Sequence, residues 1–293
     1  MSSPSSAPVE VAIRRATPGD AEVCGRICFE AFSGINQRHG FPCDFPGPEA
    51  ALHVISSMFS HPGFYCVVAE AGGRIIGSNC LDERAVVTGV GPITVDPGIQ
   101  NTGVGRRLMQ AVLDRVAEQR ATGVRLLQAA FHNRSMALYT GLGFAVREPI
   151  ACLQGRTRQR EVPRCMVRMA RPSDLENCSA LCRRVHGFER GRELADALQQ
   201  GGAKVVIRED RITGYTSGLA FFGHSVGETN VDLQALIASA DSFGGAGILV
   251  PSRNSVLFAW CLANGLRIVQ PMTLMSKGIY TEPAGPWLPS ISF

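Results

Sequence analysis

The sequence predicts an α/β fold of the α+β type, with a mixed sheet, that occurs twice in tandem. Three observations support this prediction. The 293 residues suffice for roughly two domains of about 150 residues each. Segments with strand and helix patterns alternate along the chain, which indicates a sheet covered by helices. Three short segments of the first half also recur, in the same order, in the second half.

The first recurring segment is a helix start, in which residues 16–28 match residues 170–182. Both copies place a proline and acidic residues ahead of apolar positions at helical spacing. The second segment is a tight turn between two strands, and the third contains a glycine that ends a helix. These are residues 73–77 with 210–214, and residues 142–146 with 264–268. We therefore predict a flexible N-terminus at 1–10, a first domain at 11–154, an arginine-rich linker at 155–164 and a shorter second domain at 165–293.

Composition and charge narrow the class of protein. Hydrophobic residues make up 45% of the chain and charged residues 18%, which is typical of a globular protein with a sizeable core. The net charge of +4 is mild and forms no basic stripe, so we expect no nucleic-acid partner. The sequence shows neither a signal-peptide pattern nor an apolar run long enough for a membrane span, so we expect a cytoplasmic protein. The ten cysteines lack metal-ligand spacing, and we expect them to be reduced and mostly buried, with no metal bound.

The most informative stretch follows the strand pattern of Ile93, Thr94 and Val95. A turn leads into a loop, and a helix with apolar residues at every fourth position begins at Val104. Backbone N–H groups converge there at the positive end of a helix dipole and can bind phosphate. Gly103 lacks the side chain that would hold a diphosphate away. The predicted contacts are Gln100, Asn101, Thr102, Gly103, Val104, Gly105 and Arg106.

Two other phosphate-binding loops do not fit this stretch. A Walker loop requires lysine after its last glycine, where this chain has Arg106. A dinucleotide-binding fingerprint requires a third small residue, where this chain has Leu108. Nucleotide binding by this loop is therefore disfavoured. Arg106 and Arg107 could contact phosphate or only solvent, and phosphate contact by Arg106 is the favoured interpretation.

A second segment lies after the strand pattern at 124–131. It consists of Asn133, a short helix that carries Tyr139, and the sequence Gly141-Leu-Gly143-Phe144. Together with the Gln-x-x-Gly-x-Gly pattern at 100–105, it resembles the GNAT N-acetyltransferase superfamily. The similarity to the first helix and the central hairpin extends this resemblance over the first half of the chain.

The resemblance implies mixed, mostly antiparallel sheets flanked by helices and acetyl-CoA as cosubstrate. The family transfers an acyl group directly to a small-molecule or peptide amine in a ternary complex. Its acyl-pantetheine arm would bond the backbone of Ile93 to Val95, with Asn133 in contact with the arm. Tyr139 would donate a proton to the departing thiolate, since a phenol with pKa ~10 stays protonated at neutral pH while the thiol has pKa ~8.5.

Several alternatives remain open at this level. Asn133 could serve only as a helix N-cap and Tyr139 only as a core residue. The general base is unresolved: Asp82 and Glu83 follow the strand pattern at 76–81, and we predict Glu83, although a plain polar loop is the simpler interpretation. Three histidines in a poorly patterned region are expected to be structural: His39, His53 and His61.

The second copy has lost the loop pattern. Its equivalent segment contains Glu228 and Asp232, which would repel a diphosphate, and Cys261 stands where the first copy has Tyr139. We expect Cys261 to serve packing and the second copy not to bind CoA. The arrangement resembles bacterial tandem GNAT proteins with a degenerate C-terminal domain. We expect that domain to wall the acceptor pocket and the tail at 278–293 to pack across the domain boundary. The alternative function is a non-catalytic CoA-binding sensor or interaction module.

Overall fold

The structure is a computed structural model that describes residues 10–293. The flexible segment expected at 1–10 lies outside the described residues, apart from Glu10. The first half contains β1 (Val11–Arg15), α1 (Ala21–Arg38), α2 (Pro48–Ser60), β2 (Phe64–Ala71), β3 (Arg74–Asp82), β4 (Val87–Val90), β5 (Thr94–Val95), α3 (Val104–Glu118), β6 (Gly123–Ala129), α4 (Asn133–Thr140) and β7 (Ala145–Gln154).

The second half repeats much of this order. It contains β8 (Met166–Met169), α5 (Leu175–His186), α6 (Gly191–Gln199), β9 (Lys204–Arg208), β10 (Arg211–Thr216), β11 (Ser225–Gly227), α7 (Asn230–Ala238), β12 (Ile248–Pro251), α8 (Ser255–Ala263), β13 (Arg267–Gly278) and β14 (Trp287–Leu288). The predicted mixed α/β fold class is confirmed.

The internal repeat extends to individual ion pairs. Arg14 on β1 donates to Asp20 just before α1, with 2.8 Å between Nη1 and Oδ2. Arg168 on β8 makes the same contact with Asp174 before α5, at 2.6 Å. In both copies the carboxylate also accepts the backbone N–H three residues upstream. An equivalent arginine–aspartate pair therefore fixes the first strand to the first helix in each half.

Two strands of the second half belong to the sheet of the first. The nine-stranded sheet has the order β1-β2-β3-β4-β6-β13-β7-β12, and β5 pairs with β3 beside it. Strand β13 lies between β6 and β7, with Leu274 opposite Leu127 on one side and Glu148 on the other. The expectation of one sheet for each copy therefore needs correction, because the two halves share a continuous hydrogen-bonded sheet.

The remaining strands form a five-stranded sheet in the order β14-β11-β10-β9-β8. Here β14, from the tail, pairs with β11 and also contacts β12. The end of the tail then reaches the first half. The ring of Phe293 lies 4.2 Å from the Arg125 guanidinium, and Gly89 has no room for a Cβ beside the Ser292 carbonyl. The tail thus packs across the boundary between the halves, as the sequence indicated.

Helices cover both faces of the first sheet. Along β2, Val67 and Ala69 pack with residues of α3, whereas Val68 packs with residues of α1 and α2. Successive strand residues point to opposite faces, so α3 lies on one face and the pair α1 and α2 on the other.

The sheet opens where β4 and β6 diverge. These strands run parallel and pair as far as Gly89 opposite Arg125. Beyond Gly91 and Pro92 the chain continues into β5, whose Val95 pairs with Gly77 of β3 rather than with β6. The edges of β5 and β6 that face each other are therefore available for hydrogen bonds to another molecule.

The ten cysteines are all free, and eight of them are buried. Burial raises the pKa of Cys24 and Cys261 to about 12. Cys261 packs in an apolar cluster with Leu257 and Leu266, which agrees with a packing role. Of the helices described, none is long and apolar enough to span a bilayer.

Candidate functional site

A cavity of about 410 Å³ begins at the opening between β5 and β6. Of the predicted site residues, its lining includes Ile93, Thr94, Val95, Gln100, Asn101, Gly103, Val104, Gly105, Arg106 and Tyr139. The second half contributes Phe221, Phe222, Met272, Ile291 and Ser292. The cavity therefore lies at the junction of the two halves, and residues from both form its walls.

The start of α3 presents unpaired backbone N–H groups to this cavity. Gly103 precedes the helix with φ 88°, in the left-handed region that favours glycine, and no side chain caps the helix. The first N–H with an i−4 partner is that of Arg107, which donates to the Gly103 carbonyl at 3.2 Å. The N–H groups of Val104, Gly105 and Arg106 precede it and have no intrahelical partner. They provide a site for an anion at the positive end of the helix.

Side chains of the loop hold this helix start in place. Gln100 Nε2 donates to the Val95 carbonyl at 3.3 Å, and Thr102 Oγ1 donates to the Ile99 carbonyl at 2.8 Å. Arg134 on α4 donates to Asn101 Oδ1 at 3.0 Å and to Gln100 Oε1 at 2.9 Å. Gln100, Asn101 and Thr102 thus shape the loop with their side chains. Arg134 was not among the predicted site residues, although its positive charge next to Asn133 was a signal in the sequence.

Tyr139 is the buried phenol of the site. It lies on α4, lines the cavity and is 6% exposed. Burial raises the pKa of Tyr139 to about 12, while the side chain of Ser135 partly opposes this effect. The phenol is therefore protonated at any physiological pH. Because a thiol with pKa ~8.5 is the stronger acid, transfer of the phenolic proton to a thiolate is favoured when Tyr139 regains a proton at the same time.

His132 and Ser135 lie on the same side of α4 as Tyr139, at the spacing of one helical turn. The Ser135 hydroxyl is hydrogen-bonded to His132 Nδ1. Burial, together with the nearby charges of Arg134, His39 and Arg38, lowers the pKa of His132 to about 4. A neutral imidazole and a hydroxyl therefore stand next to the phenol and can pass it a proton.

The structure does not bring Asn133 or Glu83 to the cavity. Asn133 is the exposed first residue of α4, and the cavity is lined by the preceding His132 instead. Glu83 Oε1 accepts from Arg115 Nε at 2.7 Å, which directs the carboxylate toward α3. The geometry therefore supports neither Asn133 as a contact of the acyl arm nor Glu83 as the general base. Its neighbour Asp82 is bound by Arg84, at 2.5 Å.

Two polar side chains that the sequence analysis did not select line the cavity. Asp44, on the loop between α1 and α2, accepts a hydrogen bond from Gln270 of β13, at 2.6 Å. Gln128 of β6 is 5% exposed, and neither its amide nitrogen nor its oxygen has a partner within residues 10–293. Neither belongs to a recognisable motif. A buried, unpaired amide is costly, so Gln128 is suited to bind a ligand group.

The equivalent helix start in the second half is already occupied. The Asp232 carboxylate, fully buried, accepts the Thr229 N–H at 2.8 Å and the Thr213 hydroxyl at 2.6 Å. Arg208 pairs with it as well. Strand β14 also lies beside β11, where the first half has its opening.

In the part of the chain that the structure covers, no group of three or more His, Cys, Asp or Glu residues could hold a metal ion.

The free edge of β5 beside an uncapped helix start agrees with what the resemblance implied, an acyl arm along Ile93 to Val95 and a diphosphate at the start of α3. The fold and the site together thus define an acyltransferase-like class. The model of the Acetyltransferase (GNAT) family matches residues 33–144. This part of the chain is therefore similar to the GNAT acetyltransferases, and the predicted resemblance is confirmed.

Solved structures extend the similarity to the whole chain. A presumed acetyltransferase from Pyrococcus horikoshii is 19% identical with a TM-score of 0.71, covering 93% of this chain and 90% of its own. A GCN5-related N-acetyltransferase from Sphaerobacter thermophilus is 16% identical with a TM-score of 0.62, covering 93% and 96%. A tandem GNAT protein from the clavulanic acid biosynthesis pathway is 14% identical with a TM-score of 0.55, covering 92% and 98%. At these identities the likeness shows a shared fold. No curated protein matches the sequence.

Proposed function

We propose that this protein transfers an acetyl group from acetyl-CoA to an amine, directly and within a ternary complex. The observation that carries the proposal is that one cavity joins the uncapped start of α3, the open edges of β5 and β6, and the buried phenol of Tyr139. The uncapped helix start suits a diphosphate, and the open strand edges suit an extended arm that carries amides. The phenol suits a leaving thiolate.

In this proposal the diphosphate of the cofactor lies against the N–H groups of Val104 to Arg106. The guanidinium groups of Arg106 and Arg134 add positive charge beside it. The acyl-pantetheine arm extends between Ile93–Val95 and β6, where unpaired strand edges can bond its amides. The free amide of Gln128, on the face of β6 that also carries Leu126, is positioned to bond the acyl arm.

The transfer itself forms one bond and breaks another. The amine nitrogen bonds to the thioester carbonyl carbon, and the carbon–sulfur bond breaks. The sulfur takes the phenolic proton of Tyr139, and the attacking nitrogen loses a proton that returns to the phenol through His132 and Ser135. This coupling meets the requirement set by the raised pKa of Tyr139.

The second half has a different role in this proposal. Its own helix start is capped by Asp232, so we expect it not to bind CoA. It supplies Phe221, Phe222 and Met272 to the wall of the cavity instead, which supports the expectation that it shapes the acceptor site.

The test is to incubate the purified full-length protein with acetyl-CoA and a mixture of primary amines, and to follow CoA and acetylated amines by mass spectrometry. The proposal predicts the formation of both products in equal amounts. Binding of CoA without formation of an acetylated amine from any member of the mixture would favour the non-catalytic sensor instead.

A further inference from the structure

The cavity contains a carboxylate that has no role in binding the cofactor. Asp44 lines it from the loop between α1 and α2, and this loop is fixed by Asn36, whose Nδ2 donates to the Pro42 carbonyl at 2.8 Å. Burial raises the pKa of Asp44, and hydrogen bonds from Gln270 and Asn36 partly oppose that effect. These partners are neutral amides. The negative charge of Asp44 is therefore available to a cation that enters the cavity.

Gln270 of β13 holds the Asp44 carboxylate in place. Its Nε2 donates to Asp44 Oδ1 at 2.6 Å, so its Oε1 is directed away from that carboxylate. That oxygen is buried and accepts from no group that the structure describes, and the whole side chain is 1% exposed. Because Gln270 does not line the cavity, the Asp44 carboxylate is the acceptor that this pair offers to an ammonium group, which has only donors.

Several apolar side chains also line the cavity. Phe32 and Phe45 meet edge to face with their ring centroids 5.8 Å apart, and both line it. The second half adds Phe221, Met272 and Ile291 to the lining. Among the arginines of the lining, Arg134 is bound to the loop that precedes α3, and Arg38 lies near His132. This composition suits an apolar ligand body with one cationic end.

We propose that Asp44 binds the amino group of the acceptor and is the general base, and that the acceptor is a primary amine on an apolar body with no carboxylate beside the amine. This inference rests on the proposed function. Gln270 acts as a positioning residue, because it holds Asp44 and comes from the second half of the chain.

The acceptor enters as an ammonium ion and gives one proton to the Asp44 carboxylate, which leaves a neutral amine. The nitrogen then attacks the thioester carbon, and its second proton replaces the one that Tyr139 gives to sulfur. The Asp44 proton leaves to solvent, so that the products are an amide, the free thiol and one proton. A carboxylate whose pKa lies above its usual range is the stronger base for this task.

The decisive experiment compares two matched acceptors with the full-length protein. Both 2-phenylethylamine and L-phenylalanine carry the same ring, and only the second has a carboxylate beside the amine. We expect kcat/KM for the amine to exceed that for the amino acid by at least about 100-fold.

Asp44→Asn should lower kcat/KM for the amine by roughly 100-fold at pH 7.5, within the range for loss of a general base. Its titration with CoA should match that of the wild type.

The pH profile separates a base from a structural residue. The rate of Asp44→Asn should recover as pH rises toward ~10, where an alkyl amine loses its proton unaided. Gln270→Ala removes a hydrogen bond that lowers the pKa of Asp44, so the acidic limb of its profile should move to higher pH. The groups that face Asp44 are Asn36 and the Cys28 thiol from α1, the Cys152 thiol from β7, and Gln270 from β13. Neither thiol titrates in this range, because burial raises the pKa of both.

Asp241→Asn is the control variant, because Asp241 is highly exposed on the second half, with 77% of its side chain accessible. It should behave as the wild type. Unchanged kcat/KM in Asp44→Asn, preference for L-phenylalanine, or CoA binding without acetylation of either compound would overturn the inference. Failure of the wild type to bind CoA would instead remove the proposed function and this inference with it.

Discussion

Individual residues of the site act mainly through backbone shape and burial. Gly103 supplies the left-handed turn that starts α3, and burial keeps the Tyr139 phenol protonated. The glycines and the tyrosine were predictable from the sequence because they belong to compact local motifs. Asp44, Gln128 and Gln270 were not, because their positions depend on contacts between segments far apart in the chain. Glu83 was misjudged because its partner, Arg115, lies one helix away.

Tyr139→Phe tests the role of the phenol. Removing the hydroxyl should lower kcat by roughly 100-fold or more, the usual range for loss of an acid catalyst, and should leave the KM for acetyl-CoA nearly unchanged. In the wild type, the rate between pH 8 and pH 10 should show no loss from ionisation of Tyr139, since its pKa is about 12. Steady-state kinetics over this range measure both effects. A rise in KM with unchanged kcat would show that Tyr139 only helps to bind the cofactor.

At the level of elements, the site depends on α4 being docked against the loop before α3. Arg134 makes this connection through Asn101 and Gln100. The sequence indicated both helices and the loop, because periodicity and glycine positions are local signals. It did not indicate that a side chain of α4 would form hydrogen bonds with the loop before α3. It also did not show that β14 would occupy the opening of the second copy, because a strand of two residues is too short to show an alternating pattern of apolar and polar residues.

Arg134→Ala should weaken CoA binding by about tenfold, a loss of about 1.4 kcal/mol that is typical for hydrogen bonds from a charged group. The variant loses both the brace on the loop and a positive charge beside the diphosphate. Arg107→Ala serves as the matched control, because Arg107 is exposed on α3 and does not line the cavity. Calorimetric titration with CoA distinguishes them. Equal affinities for the two variants would contradict the proposed role of Arg134.

For the whole molecule, the shared sheet makes the two halves one structural unit. Strand β13 pairs with β6 and β7 along most of its length. Without β13, these two strands of the first half would lose the strand that lies between them. The sequence predicted the repeat correctly, since equivalent helix starts and turns survive in both copies. It did not predict the exchange of strands, because any strand with apolar alternation could pair within its own copy. The domain boundaries at 154 and 165 therefore remain a prediction of where one copy of the repeat ends and the next begins along the chain.

Leu274→Ala should destabilise both halves together. Leu274 is fully buried on β13 and packs with Leu127 and Ile150, so a loss of about 2–5 kcal/mol is expected. Hydrogen exchange monitored by mass spectrometry should show reduced protection in β6 and β7 as well as in β13. Leu262→Ala, on the more exposed side of α8, should change the free energy of unfolding far less. Loss of protection confined to the second half would argue against a single cooperative unit.

The central claim is that main-chain N–H groups at the start of α3 bind the diphosphate of CoA, and calorimetric titration of Gly103→Val tests it most directly. Valine at φ 88° would distort that start, whereas Gly72→Val places the same strain, at φ 55°, in the distant turn between β2 and β3. The account predicts that the wild type and Gly72→Val bind CoA alike, that Gly103→Val loses at least tenfold in affinity, and that pantetheine, without a diphosphate, binds weakly to all three. Wild-type affinity in Gly103→Val, or no heat of CoA binding in the wild type, would contradict it.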